Sequence, residues 1–484
     1  MASNTSKVVA LSLAQLVTTV VTVVSGMVFT RYLSIADYAT YLQTFLAYDF
    51  VSPLLTLGLP SALFYFLPRA EERQKGLVID NMLLLFICGL IFSLFLILGG
   101  TELLAQRFKN PKLNETLRWM IFFPLYTFPV VLGAILVVKD KVRLNAIYNI
   151  ITGAVLTGAV ILAAITTQHY EVPILVRIFL PLLFFPIILY LSFKYVPGQW
   201  EGPSISSMVR MLKFAIPLGF AAILGSLTMQ LANVIVSSLC NPEEFAIYTM
   251  GAREVPLVGI ITGSISIVIM SEMSLACKKG NKQVALELFR KSSILSACFL
   301  LPVMCFLLIY AKEFIIIMLS DKYVESVLPF QIYLFFLPVR IVNYGAAFIA
   351  LGKSKSVLYR SFWSLIITGI LCVLFIYLWG AIGAALATII TSYLFAVPYN
   401  LYSLGKSFEC SPLYVIPFKR IGVIFIVSFI ALLFSSIFLF FDNLTFLTRF
   451  ILGGIFFFGV YIGIAYVFIP EFKEVVYLLR RRYC

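Results

Sequence analysis

Charge is scarce in this chain: only 12% of its 484 residues are Asp, Glu, Lys or Arg, about half the share carried by soluble domains. There is one histidine, His169, read as a solvated loop residue, which leaves no histidine cluster for a metal or a proton relay. Eight cysteines occur without any CxxC spacing: Cys88, Cys298, Cys305 and Cys372 lie in apolar runs, and Cys277, Cys410 and Cys484 in basic loops. Neither a zinc site nor a disulfide framework fits that pattern. No metal and no cofactor are expected. Enzyme motifs are missing too. Gly352-Lys353-Ser354 comes nearest to a phosphate loop, but Ala347 stands where its first glycine should be, and the segment joins two apolar runs instead of a strand and a helix. A net charge of +14 is spread in short patches between apolar runs, which is not the basic face that a nucleic-acid partner requires.

What fills the sequence instead is apolar: 61% of residues are hydrophobic, more than a soluble core can hide. A bilayer core about 30 Å thick takes roughly 20 residues of helix. Read in such units, the chain is an all-α polytopic membrane protein of about fourteen spans: 8–30, 39–67, 77–100, 117–138, 144–166, 172–193, 207–239, 245–276, 291–318, 327–350, 357–378, 380–403, 420–441 and 446–469. The first is too long for a signal-peptide core and lacks a cleavage site. One long run must be divided by a tight turn at Trp379-Gly380. Most of the 36 basic residues fall in alternate loops, Lys278, Lys279, Lys282, Arg290 and Lys291 in one of them. By the positive-inside bias those loops and both termini, Arg480 to Arg482 included, are cytoplasmic. The longest loop on the other side, residues 101–116, leaves no room for a soluble domain.

The chain also repeats itself. Ser34-Ile-Ala-Asp-Tyr-Ala-Thr-Tyr41 aligns with Asn241-Pro-Glu-Glu-Phe-Ala-Ile-Tyr248, 207 residues later; Pro124 and Lys139-x-Lys141 align with Pro338 and Lys353-x-Lys355 at 214; Ile150-Ile-Thr-Gly153 aligns with Ile366-Ile-Thr-Gly369 at 216. Six spans per copy is an even number, so both copies enter the membrane from the same side and are related by a pseudo-two-fold along its normal. The expected organisation is an N-terminal six-helix lobe (1–200), a C-terminal six-helix lobe (201–405) and two extra helices with a basic tail (406–484).

A charge at the centre of a lipid-facing helix costs about 2.5–3.5 kcal/mol, so charges inside spans mark a polar interior. Arg340 in span ten, Arg253 and Glu254 in span eight and Asp49 in span two stand out. Both arginines are expected to line a cavity and bind an anion, Arg340 as the cation with no acidic neighbour on its own helix. Asp49 and Glu254 are candidates for a cavity salt bridge with Arg253 or for ion coupling; the structural alternative is that Arg253 or Arg340 pairs with Asp49 or Glu254 to lock two helices together. Arg31, Arg118 and Arg177 are read as snorkelling to a membrane surface. Gln15, Asn149, Gln230, Asn233 and Asn343 suit either a polar path or helix-to-helix hydrogen bonds. Pro53, Gly58 and Pro60, Pro217 and Gly219, and Gly251, Pro256, Gly259 and Gly263 interrupt spans two, seven and eight and permit bending.

Several segments resemble a known family. Arg31-Tyr-Leu-Ser-Ile-Ala-Asp-Tyr-Ala-Thr-Tyr41 resembles the R-x-L-G-x-x-E-Y-G-x-Y signature of the Wzx-type polysaccharide flippases, with Ser34 and Ala39 in place of its glycines. Leu351-Gly-Lys-Ser-Lys355 and Gly380-Ala-Ile-Gly-Ala-Ala-Leu-Ala-Thr388 are similar to that family's L-G-K-x-K loop and G-x-x-G-A-A-L-A-T helix start. The resemblance covers nearly the whole chain and places it in the superfamily of multidrug, oligosaccharidyl-lipid and polysaccharide exporters. It implies a two-lobed transporter of the cell inner membrane that alternates access between leaflets and moves undecaprenyl-diphosphate-linked oligosaccharide repeat units outward. Its partners would be that lipid-linked substrate, membrane lipid, and a glycan polymerase or other assembly proteins. The diphosphate is anionic, and Arg253 and Arg340 are the buried cations for it, since a guanidinium forks onto phosphate oxygens. An ion-coupled multidrug or small-molecule exporter of the same superfamily is the alternative. Such exporters usually carry acidic residues in the first or seventh span, and both spans lack them here.

Overall fold

The structure, a computed structural model, describes residues 19–70, 73–255, 258–441 and 444–473. Everything regular among these is helical. In lipid each backbone polar group must find its partner within the protein, which leaves the helix as the open-chain solution. Nine described helices are long and apolar enough to cross a membrane, or eleven when each of two bent pairs counts as one span. This is a multi-pass membrane protein. Runs two to fourteen all fall on helices or bent helices, whereas the first is described only from residue 19; the count of fourteen rests on the sequence.

By internal contacts the chain forms two compact units, Met1–Ala246 and Ile247–Cys484. Unit 1 begins with α1 (19–32) and α2 (Ile35–Thr56), followed by α3 (Leu59–Phe66), α4 (Gln74–Phe95), α5 (Thr101–Arg107), α6 (Leu113–Arg118), α7 (Phe128–Val138), α8 (Val142–Thr167), α9 (Glu171–Leu183), α10 (Phe185–Lys194) and α11 (Ile205–Leu239). The second span is thus not one helix. Leu57 and Gly58 both take left-handed backbone angles (φ 47° and 72°), a conformation that glycine adopts without strain. At that break α11 packs backbone to backbone: a Cβ on Gly219 would overlap the Leu57 carbonyl, and one on Gly58 would meet Gly219. Gly58 and Gly219 therefore make a close contact, and α11 runs helical across Pro217. Leu59, Leu63, Val78, Leu85, Val131, Leu132, Ile135 and Met211 form an apolar core.

Surrounding lipid is as apolar as this core, so polar contacts carry much of the helix association. Gln43, fully buried, donates to the Phe108 carbonyl (3.1 Å) and to Ser237 (3.0 Å) and accepts from Asn110 (2.7 Å), which also donates to Thr40. Elsewhere in the unit, buried Asp80 accepts from Arg73 (3.4 Å) and the Ser204 amide (2.9 Å), while Arg73 also pairs with Glu201 (2.9 Å).

α12 (Pro242–Gly251) leads into unit 2, which continues with α13 (Val258–Lys278), α14 (Lys282–Ile309), α15 (Ala311–Met318), α16 (Val327–Leu334), α17 (Leu337–Arg340), α18 (Tyr344–Ala350), α19 (Ser354–Trp379), α20 (Ala381–Thr391), α21 (Val397–Phe408), α22 (Phe418–Ser435) and α23 (Phe446–Phe468). The turn expected at Trp379-Gly380 is present. Gly380 ends α19 at φ 61°, and a Cβ on Gly383 would overlap the Phe375 carbonyl, so the two glycines let α20 fold back directly on α19. The last two helices pack against α14 and α15: Tyr461 donates to the Cys298 carbonyl (2.8 Å), Tyr310 donates to the Ser435 carbonyl (2.6 Å), and Gly453 makes room for the Tyr310 ring.

The internal repeat is visible as chemistry. Ser34 caps α2 by accepting from the Asp37 amide (3.1 Å); Asn241 caps α12 by accepting from the Glu244 amide (2.8 Å), and Glu244 accepts in return from the Asn241 amide (3.2 Å). Each unit has one bent helix pair near the repeated proline, by 59° between Phe122 and Pro124 and by 41° between Leu334 and Leu337. α7 and α18 then end in the same way. Lys141 N–H bonds the Leu136 carbonyl and Asp140 N–H the Val137 carbonyl; Lys353 N–H bonds the Phe348 carbonyl and Gly352 N–H the Ile349 carbonyl. Asp140 and Gly352 are the left-handed residues (φ 57° and 68°) of the two C-caps. That geometry pairs Lys141 and Arg143 with Lys353 and Lys355, a register two residues away from the alignment of Lys139 with Lys353. Helix ends, not lysine spacing, set the equivalence.

Candidate functional site

In unit 2 the charged residues sit where helices break. Gly251 packs its Cα against the Ser326 carbonyl, where no Cβ would fit, and the helix ends there. Pro256 follows in the sequence, supplies no N–H and pushes the preceding residue toward extended backbone. Ala252 to Val255 are accordingly non-helical. Arg253 and Glu254 therefore belong to an interruption of span eight and not to a continuous helix. Arg340 is the last residue of the four-residue α17, with Phe335-Phe336 before it and Ile341-Val342 after it; Asn343 then caps α18 by accepting from the Ala346 amide (3.0 Å).

These two interruptions meet. Arg340 Nη2 donates to Glu254 Oε2 at 3.2 Å, and its Nε lies 2.7 Å from Oε1 as an ion pair without hydrogen-bond alignment, so one prong of the fork is left unmade. Both side chains remain partly open, at 39% and 35% exposure. The Phe336 ring lies 5.1 Å from the Arg340 guanidinium carbon, and Tyr333, stacked on Phe336, is coupled electrostatically to both members of the pair. Arg360 on α19 adds a second positive field at Arg340. Arg253, exposed, donates only to the Met250 sulfur (3.8 Å) and has no carboxylate partner among the described residues. The sequence leaves Arg340 as the uncommitted cation; in the structure Glu254 holds Arg340, and Arg253 is the one without an acid. A pairing across 86 positions is invisible to a search of neighbours on one helix.

Unit 1 handles its charge differently. Arg177 on α9 does not snorkel to a surface. Its Nη1 donates to the Tyr41 hydroxyl (2.8 Å), and its guanidinium carbon lies 3.7 Å from the Phe45 ring centre and 5.4 Å from that of Tyr41. Cation–π contact of this kind is worth about 2 kcal/mol where water is excluded, which favours turning inward. Arg177 lines a cavity of about 210 Å³ with Phe45, Tyr48, Tyr126 and Pro181, and Tyr126 closes one wall by donating to the Ile178 carbonyl (2.7 Å). Asp49, one turn beyond Phe45 on α2, is exposed and lies in the field of Arg177.

The remaining polar residues are mostly local. Asn233 donates to Gln230 (3.1 Å) and Asn149 to Asn145 (3.4 Å); His169 is exposed beside Glu171 (3.8 Å); Arg31 is exposed and bonds the Met27 carbonyl, and Arg118 is exposed. Gln15 and the tail from Glu474 lie outside the described residues. Two intramembrane charges escape a reading based on span centres: Glu313 on α15 and Arg449 on α23 form a buried pair (3.5 Å; 5% and 14% exposed). Arg449 is the only charge in α23, a signal available in the sequence, whereas Glu313 follows Lys312 directly and reads as a loop-edge pair. Among the described residues no group of three or more His, Cys, Asp or Glu side chains could hold a metal.

Comparison with known proteins agrees with this architecture. No curated protein matches the sequence. Among solved structures, the lipid II flippase MurJ in an inward closed conformation superposes with a TM-score of 0.75 at 17% identity, covering 94% of this chain and 98% of that one. An inward-facing multidrug resistance MATE transporter of the MOP superfamily gives 0.57 at 14% identity over 83% and 99%, and a MOP superfamily transporter from Pyrococcus furiosus gives 0.54 at 15% over 83% and 95%. At such identities the likeness is one of fold. Residues 28–328 match the family described as polysaccharide biosynthesis protein. With that match over most of its length, and a fold shared with MurJ and MATE transporters, the chain belongs to the polysaccharide biosynthesis protein family.

Proposed function

We propose that this chain is a flippase, and not an enzyme, that moves undecaprenyl-diphosphate-linked oligosaccharide repeat units from the cytoplasmic to the outer leaflet of the cell inner membrane by alternating access. The observation that carries the reading is the polysaccharide family match on the fold of a lipid II flippase. In this reading the repeat copies 1–200 and 201–405 are the moving lobes, 406–484 is an appended pair of helices, both termini face the cytoplasm, and a glycan polymerase works on the exported product.

Arg253 and Arg340 bind the diphosphate. Arg253 is available at once; Arg340 is released when a phosphate oxygen replaces a Glu254 oxygen, an exchange between two anions of similar geometry on the same fork. Freed Glu254, and Asp49 in its own unit, are the carboxylates on which an ion could couple. A carrier of cationic drugs would need acids in excess at these positions, whereas Glu254 faces Arg340, follows Arg253 in the chain, and Arg360 adds its field at Arg340. That favours the anionic substrate over the exporter of drugs.

The test is export of the glycan in cells that depend on this gene, with membrane abundance measured in parallel. Arg340→Ala is expected to abolish export at normal abundance and Arg340→Lys to restore it only in part, because an ammonium cannot make the two-pronged contact. Normal export by Arg340→Ala, or losses that simply follow loss of folded protein, would overturn the site assignment.

A further inference from the structure

In unit 2, α14, the start of α22 and the segment after α23 enclose an open pocket of about 370 Å³, whose lining includes neither Glu254 nor Arg340. Arg290, Lys291 and Arg420 line it together with Glu287 and Glu471. Tyr414 holds the Arg290 guanidinium 4.3 Å above its ring centre, so this cation is placed in advance. Among the described residues neither Arg290 nor Arg420 has a carboxylate partner. Arg420 stands in the first turn of α22, whose unpaired amides add positive potential at the same end.

Two further features narrow the ligand. Glu471 Oε2 is buried and has no hydrogen-bond donor among the described residues. A carboxylate oxygen in that position is an acceptor for a ligand hydroxyl. α22 also exposes Phe418, Phe425 and Phe429, on the side of the helix opposite Arg420, so the pocket adjoins a helix whose other face is apolar and open to lipid. Cations at the pocket and an orphan acceptor beside them, on a helix that also faces lipid, fit a membrane molecule with a phosphate and a hydroxylated head. Basic pockets between helix ends bind anionic lipid head groups by the same electrostatics.

We infer that this pocket binds the head group of an anionic phospholipid, with its phosphodiester between Arg290 and Arg420 and a head-group hydroxyl donating to Glu471. The site is independent of the transport reading above.

Native mass spectrometry of the purified full chain in detergent, titrated separately with phosphatidylglycerol, phosphatidylcholine and inorganic phosphate, tests it. Phosphatidylglycerol adducts should persist where phosphatidylcholine adducts do not. The double substitution Arg290→Gln with Arg420→Gln should weaken phosphatidylglycerol binding about thirtyfold, from two lost basic contacts, while Arg290→Lys with Arg420→Lys, which keeps the charge, should retain most of it and shows that the pocket still folds. Glu471→Gln should weaken phosphatidylglycerol more than phosphatidic acid, which lacks the head-group hydroxyls. Equal retention of phosphatidylcholine, or unchanged phosphatidylglycerol binding by the Gln pair, overturns the proposal. Displacement of the lipid by inorganic phosphate at the same concentration overturns it in favour of a soluble-anion site.

Discussion

The two repeated segments each open a helix with the same capping signature, yet the two helices differ in length. α2 runs unbroken for 22 residues past Asp49 and opens only at Leu57-Gly58, where α11 fills the gap with its own backbone. α12 stops after 10 residues, and the non-helical stretch that follows carries Arg253 and Glu254. The repeat makes Asp49 the counterpart of Pro256. One copy therefore places a carboxylate on a helix face where the other breaks the helix and presents a cation. Their arginines differ accordingly: Arg177 is committed to two aromatic rings and a hydroxyl, whereas Arg253 has only a weak sulfur contact and Arg340 shares one partly open carboxylate. A duplicated scaffold can thus give one copy a locked charge and the other an exchangeable one by moving a single helix end.

Substitutions that exchange these roles would break the comparison. After the loss of export expected of Arg340→Ala, the largest effect is expected from Arg253→Ala, which should lower flipping of a lipid-linked oligosaccharide in proteoliposomes about 10–100-fold, the value of one or two charge-assisted hydrogen bonds, with an unchanged thermal midpoint. Arg177→Ala should do the reverse, costing about 2–3 kcal/mol of stability through the lost ring and hydroxyl contacts. Thermal unfolding in detergent would show it. Should Arg253→Ala destabilise and Arg177→Ala merely slow transport, the division of labour drawn here is inverted.

Glycines sharpen the contrast further. Gly219→Val must push the Leu57 carbonyl aside and should cost about 1–3 kcal/mol, whereas Gly259→Ala in α13, with nothing within 4 Å of its Cβ, should be neutral or slightly stabilising. Equal midpoints for the two variants would mean that the α2–α3 break does not depend on α11. Caps come next. Asn241→Ala removes a reciprocal capping box and should cost about 1 kcal/mol, measurably more than Ser34→Ala, whose partner Asp37 is already engaged by Lys112 (2.9 Å).

The smallest effect belongs to an exposed pair in unit 2. Lys282 donates to Glu409 at 2.6 Å and holds its carboxyl below the ordinary value of 4.5. A group whose pKa is lower in the folded state contributes stability above its unfolded value, and that contribution is lost as pH falls through the folded one. Wild type and Glu409→Gln should therefore differ slightly in midpoint at pH 7 and converge as pH falls below 4.5. The buried counterpart in unit 1 should respond far more: Asp80→Asn leaves Arg73 without one of its carboxylates and weakens the bond to the Ser204 amide, at a cost of about 1–3 kcal/mol.

Much of this molecule was legible without coordinates because lipid makes secondary structure a local matter. A run of about 20 apolar residues has no water to satisfy its backbone and closes its own hydrogen bonds as a helix, so runs two to fourteen, the turn at Trp379-Gly380 and the order of the repeat follow from the sequence. The places where spans two and eight break were marked by Pro53, Gly58 and Pro256, although not to the residue; the bend in span ten was not expected, and Pro217 and Gly219 leave span seven unbroken. Partners were another matter. In water an apolar stripe tells which face of a helix turns inward, but here both the neighbouring helix and the lipid are apolar, and helices greasy on all sides carry no such direction. Only the tertiary structure could turn Arg177 onto Phe45, join Glu254 to Arg340 and bury Arg449 against Glu313, because each contact links residues far apart in the chain whose side chains have no preferred direction until their helices pack.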